Sequence, residues 1–357
     1  MHLKAPNQTF MILAMLAAIA AAPAAHAQEG DTENVSQQGV VELTLDHAES
    51  GQDVLAATVN YGLAVRFAEG WTFQMDAVLE PVVDPVGDEA FEGEDAFIET
   101  LSLQYAGEAF TVYGGKINPV FGSAADVAPG LYGVEAGEAY QITEALGVGG
   151  DISLTSLLNL DGEHVLSAAL FTADRTFLSS SLGGLREELE LADGGLANTE
   201  GLKSVAVSLD GVLANGLGYS LGHRRLATDT PGETDENTTV FGLNYVLPED
   251  SGLDLSLMGE VAASRNADGV DGANRDFYTA GGTLGLGNWG WGDWFVNAIA
   301  SGWNENATAG DIDVRKLELS VGHALAEALV LEVGVQDVRE SGVSDTVLGA
   351  RLAWEFG

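Results

Sequence analysis

The sequence predicts an all-β fold: a transmembrane antiparallel β-barrel of about sixteen strands, with short turns at one rim and long loops at the other. Three observations predict it. Apolar and polar residues alternate with period two in segments of about ten residues. The connections between those segments are short or long according to strand parity. The chain is also both acidic and apolar, with 54 Asp and Glu against 14 Lys and Arg, a formal charge of −40 and 46% hydrophobic residues. A disordered acidic chain would lack the apolar share, so the two kinds of surface must be segregated by architecture.

The first element is not part of that fold. Lys4 stands in a short polar stretch, residues 10–22 are apolar, and Ala25-His26-Ala27 has the small-x-small pattern of a signal-peptidase site. Residues 1–27 read as a signal peptide, with Gln28 as the new terminus and 28–357 as one barrel domain without an internal linker. No later apolar run reaches the roughly twenty residues of a membrane-spanning helix. Cysteine is absent, so a disulfide-stapled miniature is excluded.

The strands follow in order. Val59, Tyr61, Leu63, Val65 and Phe67 alternate with Asn60, Gly62 and Arg66, and Trp71, Phe73, Met75, Ala77 and Leu79 with Thr72, Gln74, Asp76 and Glu80. At the far end Leu348, Ala350, Leu352, Trp354 and Phe356 form one apolar row. The same template places strands near 39–46, 54–67, 71–80, 96–105, 109–116, 144–154, 164–172, 202–212, 217–226, 239–247, 253–263, 276–287, 292–303, 312–324, 329–338 and 346–356. The fifth to seventh are the least sharply defined, and around 145–150 and 165–171 both parities are partly apolar. Even-numbered strands end in tight links such as Ala68-Glu69-Gly70, Ala106-Gly107-Glu108 and Ala326-Glu327-Ala328. Odd-numbered ones are mostly followed by long polar segments: 81–95, 117–143, 173–201, 227–238, 264–275 and 304–311. The link near 340–344 is short for its class.

Lipid leaves no solvent for an open sheet edge, so such strands must close on themselves. At about sixteen strands the interior is too wide for side chains to fill, and a watery lumen is expected. The polar parity supplies the expected pore-lining residues Arg66, Asp76, Glu80, Asp254, Glu260, Glu318, Glu332 and Arg351, charges that a dry core could not hold. Trp71, Trp289, Trp291 and Trp354 fall beside the short-turn rim, as an interfacial aromatic girdle would.

Other chemistry is sparse. The mature histidines are His47, His164, His223 and His323, none at metal-ligand spacing. His47 and His223, at the long-loop ends of their strands, are the only candidates for a rim-active hydrolase. The run Gly281-Gly282-Thr283-Leu284-Gly285-Leu286-Gly287 looks like a nucleotide loop but precedes no helix, and reads as strand. So acidic a surface repels nucleic acid. Acid-dense loops at 84–95, 186–193 and 228–237 suggest divalent cations bridging to lipopolysaccharide phosphates, but a solvated acidic surface is the preferred reading. No other cofactor is expected. Segment 173–201 carries Phe177, Leu178, Leu182, Leu185 and Leu189, with Glu188 among them; it is the candidate constriction loop, either folding inward and partly helical over 185–191 or packing on the barrel mouth.

The stretch Tyr113-Gly114-Gly115-Lys116-Ile117-Asn118-Pro119-Val120-Phe121-Gly122 resembles the G-[KR]-x-x-P-x-F-G region of bacterial porin-like outer-membrane proteins, including phosphate-selective and siderophore-porin relatives. Ala128-Pro129-Gly130-Leu131-Tyr132-Gly133 and Glu138-Ala139-Tyr140 look similar to the same group. The resemblance implies an outer-membrane location, and trimerisation is common in that family. It also implies an aromatic final residue, whereas here Phe356 is followed by Gly357. Phosphate selectivity would need a basic lumen, and Lys116 alone provides no ladder. The expected function is passive diffusion of small hydrophilic solutes with mild cation preference. The alternative is an uptake barrel that binds a metal complex or siderophore.

Overall fold

The computed structural model describes residues 34–248, 251–288, 292–307 and 310–357. The expected signal peptide, 1–27, lies outside them, as do Trp289 and Trp291 of the expected girdle. Seventeen strands share one hydrogen-bonded sheet. One of them is the two-residue Glu89–Ala90, parallel to Val54 and Leu55. The other sixteen are the wall: β1 Val35–Ala48, β2 Asp53–Ala68, β3 Trp71–Pro81, β4 Glu94–Ala106, β5 Phe110–Ile117, β6 Ala145–Ser153, β7 Glu163–Ala173, β8 Ser204–Val212, β9 Leu217–Leu226, β10 Glu236–Val246, β11 Leu255–Arg265, β12 Asn274–Asn288, β13 Asp293–Ala307, β14 Gly310–Ala326, β15 Leu329–Glu340 and β16 Val343–Phe356. Each is antiparallel to its neighbours. β16 returns to β1, with Gly39 opposite Phe356 and Ala48 opposite Val347, and the sheet has no free edge.

Burial is inverted relative to a water-soluble protein. Along β14, Glu318 and Ser320 are buried while Leu317, Leu319 and Val321 are exposed. The same inversion sets Glu332 and Gln336 of β15 against Leu331, Val333 and Val335, and Ser208 of β8 against Val207. Each large apolar side chain left in water forgoes about 1.5–3 kcal/mol, so rows of them are stable only against hydrocarbon. The outward face is that of a transmembrane barrel.

Every expected strand is present. The trimmed rim is made of tight links such as Glu69-Gly70, where Gly70 has φ +74° and a Cβ would sit 2.7 Å from the Ala106 carbonyl oxygen. Of segment 304–311, the described residues 304–307 and 310–311 are strand rather than loop: β13 and β14 pair as far as Ala307 opposite Gly310, and Arg275 meets Glu305 on the inward side. Polarity there marks height above the lipid rather than the end of a strand. β5, β6 and β8 are short, at 8, 9 and 9 residues, and the rim above them is built by loops.

Candidate functional site

The segment 118–144, between β5 and β6, leaves the wall and crosses the lumen. Asn118 fastens entry to exit: its Nδ2 donates to Glu99 Oε1 of β4 at 2.9 Å, and its Oδ1 accepts the Glu144 amide at 2.8 Å. Two short helical turns follow, Ala124–Val127 and Glu135–Glu138. Buried Glu260 of β11 accepts the Ser123 amide at 2.7 Å, the Ser123 hydroxyl at 2.8 Å, the Ala124 amide at 3.1 Å and the Tyr140 hydroxyl at 2.5 Å. Glu318 of β14 accepts the amides of Leu131 at 2.5 Å and Tyr132 at 3.0 Å. The tip also receives Arg351 of β16 on the Gly130 carbonyl at 3.3 Å, and the Tyr132 hydroxyl donates to Asp46 of β1. A segment rooted between β5 and β6 reaches β11, β14, β16 and β1 only through the interior. Gly130, at φ +99°, is where it comes closest, since a Cβ there would lie 2.4 Å from Glu318 Oε1.

One side of this loop is dry. Phe121, Tyr140 and Ile142 pack on Ala145, Phe171, Ala206, Val240, Ala262 and Phe277 of the inner wall. Ala124 and Ala128 meet Met258 and Ile299. Burial, and then the carboxylates to which they donate, push the Tyr132 and Tyr140 hydroxyls above the usual phenol range, so both remain neutral donors.

The other side faces β1 to β4 across open space. A cavity of about 430 Å³ there is lined by Gln38, Asn60, Gly62, Asp76 and Glu99, among others. Glu80 stands within the field of Glu99, Glu138 and Glu144. Glu138 is solvent-reachable yet enclosed by the barrel; that enclosure, followed by the charge of Glu135, holds its carboxyl above the usual range. The inward bases of this region are already engaged. Lys316 meets Glu135, Arg351 meets Glu332 at 2.7 Å, and Lys116 and Arg186 meet Glu144 at 2.7 and 2.5 Å. Among the described residues Asp76, Glu80, Glu99 and Glu138 have no base within 4.0 Å. A larger groove, about 700 Å³, lies on the outer wall around Trp71, Leu103, Val112, Val148 and Leu170, among others, where lipid would fill it.

The residues expected to line the pore divide into three groups. Asp76 lines the cavity, and Glu80 stands near Glu99 and Glu138. Glu260, Glu318 and Glu332 have inward parity but are buried, and Arg351, half-buried beside them, is held by Glu332 and the Gly130 carbonyl. Glu260 and Glu318 anchor the crossing loop, and Glu332 accepts from Asn297 at 2.7 Å, Ser320 at 2.6 Å and Arg351. Arg66 and Asp254 stand exposed near the trimmed rim. Sequence reasoning missed Glu99, Glu135, Glu138, Ser123 and Asn118. For all but Glu99, which lies on β4, the signal was a long Ala- and Gly-rich loop that has acids but no Lys or Arg.

Segment 174–203 does not cross the lumen and has no helix over 185–191. β5 pairs with β4 only as far as Leu101 opposite Lys116, and the upper edge of β4 would be left bare where 118–144 turns inward. The Leu182 amide donates to the Ala96 carbonyl at 2.7 Å, and Asp95 accepts from Ser181, Gly183 and Leu185. Arg186 lies 4.1 Å from the centre of the Phe97 ring. The segment seals a notch in the wall. Ser181 and Gly183 turn toward Asp95, so Leu182 faces outward, and Phe177, Leu182, Leu185 and Glu188 are exposed; Leu189 is half-buried. His47 meets Asp53 at 2.6 Å, and His223 meets Thr239 at 3.0 Å on the outward face. Among the described residues neither ring hydrogen-bonds a Ser or Cys. Among the described residues no group of three or more His, Cys, Asp or Glu is placed to hold a metal ion.

No protein-family model matches the chain, and no curated protein matches it. Solved structures do. OprB of Pseudomonas putida is similar with a TM-score of 0.62 and 11% identity, over 90% of this chain and 94% of that one. OmpF of Salmonella typhi, in complex with daunomycin, gives 0.61 and 10% over 90% and 97%. The trimer form of OmpT, an outer-membrane protein of Vibrio cholerae, gives 0.56 and 11% over 91% and 100%. At these identities what is shared is the architecture: the chain has the fold of outer-membrane porin barrels.

Proposed function

We propose that this protein is an outer-membrane channel through which small hydrophilic solutes diffuse passively, with cations favoured over anions. The observation that carries the reading is the crossing loop. It packs dry against one half of the barrel; on the other side Asp76 and Glu99 line a cavity, Glu80 and Glu138 stand close by, and none of the four pairs with a base within 4.0 Å among the described residues. Carboxylates in a narrow lumen raise the local concentration of cations and repel anions. The constriction on this reading is 118–144 rather than 173–201. Residues 1–27 direct export and are removed, leaving Gln28 at the terminus. Assembly as a homotrimer in the lipopolysaccharide-bearing membrane has the support of the trimer form of OmpT. No catalytic step is assigned.

Reversal potential in an asymmetric salt gradient, with the folded protein in a planar bilayer, tests the reading. Steady conductance with a cation-favouring sign is expected. An anion-favouring sign would overturn the selectivity, and a silent bilayer would overturn the channel.

A further inference from the structure

The chain has only 14 Lys and Arg, and two of them face each other on the outside of the wall. Arg315 of β14 is the direct cross-strand partner of Arg339 of β15. Both have outward parity, in register with the exposed Leu317, Leu319, Val333 and Val335. Like charges directly opposite on a sheet repel. Each arginine does meet the acid two residues before it, Asp313 at 3.0 Å and Asp337 at 3.1 Å. Those bridges are water-exposed, with the arginine side chains 66% and 65% accessible, and hold weakly. A guanidinium has five donors, so most remain free to take a second acceptor.

Height along the wall identifies that acceptor. From Arg315 down to Leu325, beside the trimmed rim, β14 runs ten residues. At about 3.4 Å per residue and the usual strand tilt this is about 25 Å along the barrel axis, the height of the apolar band of a membrane barrel. Arg315 and Arg339 therefore stand where hydrocarbon gives way to headgroups, above a track of exposed aliphatic side chains that includes Leu317, Leu319, Val335 and Leu348. A second outward row at the same rim sets Arg225 of β9 and Arg265 of β11 on either side of Asn237.

We propose that Arg315 and Arg339 form a clamp for the phosphate of an outer-leaflet lipid, whose acyl chains lie along the aliphatic track below. The anion relieves the arginine–arginine repulsion, and bidentate guanidinium–phosphate geometry supplies the recognition. The clamp rests on the reading that the outer face meets lipid.

The test uses the folded full chain in a neutral detergent, with bis-phosphorylated lipid A, its dephosphorylated form and inorganic phosphate as probes, and native mass spectrometry as the readout. Phosphorylated lipid should be retained in preference to the dephosphorylated form. R315A/R339A should bind it about tenfold more weakly, and Arg66→Ala, at the opposite rim, should leave it unchanged. D313N/D337N should bind it more tightly, because the competing acids are gone. This opposite-signed arm keeps the question open to test even where the double arginine variant does not fold. Equal retention of the two lipids, no loss in R315A/R339A, weaker binding by D313N/D337N, or displacement of lipid by inorganic phosphate at equal concentration would each overturn the clamp. Conductance of the same preparations separates it from the channel reading, since either property can fail while the other persists.

Discussion

Glu260 holds Ser123 from across the lumen, taking both its backbone N–H and its hydroxyl on one carboxylate oxygen at 2.7 and 2.8 Å. A carboxylate that serves four donors is an anchor for the crossing loop. Removing it leaves buried donors without partners, at about 1–3 kcal/mol each. In E260A the loop should loosen, giving larger and noisier single-channel currents and a lower denaturant midpoint. E260Q keeps the shape but not the charge, and should fall between the two. An E260A channel with unaltered, quiet conductance would remove this anchoring role.

Gly130 tests the same loop at its tip. Its φ of +99° and the 2.4 Å approach of Glu318 to the Cβ position leave no room for a side chain. Gly130→Ala should displace the Leu131 and Tyr132 amides from Glu318 and cost about 1–3 kcal/mol of backbone strain. Conductance should change while overall strand content, read by circular dichroism, stays the same.

Glu138 contributes to the pH dependence. Enclosure and the charge of Glu135 hold its carboxyl above the usual range, so as pH falls it takes up a proton before an ordinary glutamate does. Cation preference should therefore decline first in mild acid. E138Q should show at neutral pH part of the reduced preference that the wild type reaches only in acid, with a flatter acid limb. Reversal potentials measured from neutral to mildly acidic pH check both. A steeper acid limb in E138Q would assign the titration elsewhere.

The wall was legible because a stave meets two solvents: period two in sequence becomes lipid outside and polar inside, and turn chemistry marks the ends. Parity also placed Glu260 and Glu318 inward correctly. It could not say whether an inward carboxylate meets water or a loop, because that depends on Ser123 and Leu131, which lie more than a hundred residues away in sequence. The leucines of 177–189 suggested either a lumen-filling loop or one packed on the barrel mouth, because apolar loop residues imply burial, and the structure shows the second. In fact Leu182 has outward parity, joined to Ala96 at the notch left by the short β5. The loop that does cross is rich in Ala and Gly, and only small residues let its backbone approach Glu318 and Glu260. For 304–307 and 310–311, polar composition looked like a loop, yet an extended wall above the lipid is polar too.

Arg186 joins the sealing segment to the rest of the mouth. It spans the Phe97 ring of β4 and the Glu144 carboxylate at the exit of the crossing loop, with its Nη1 donating at 2.7 Å. Lys116 reaches the same carboxylate and the Leu178 carbonyl at 2.8 Å, so the seal does not depend on Arg186 alone. Arg186→Ala removes a ring contact worth about 0.5–2 kcal/mol and one charged partner of Glu144. That is too little to unfold a closed wall, but enough to open the notch transiently. Phe177, already 74% exposed, should then be cut by chymotrypsin several times faster than in the wild type, while the barrel below remains protected. Unchanged cleavage would mean that Asp95 and Lys116 hold the segment by themselves. Cleavage throughout the strands would mean that Arg186 supports the whole barrel rather than its seal.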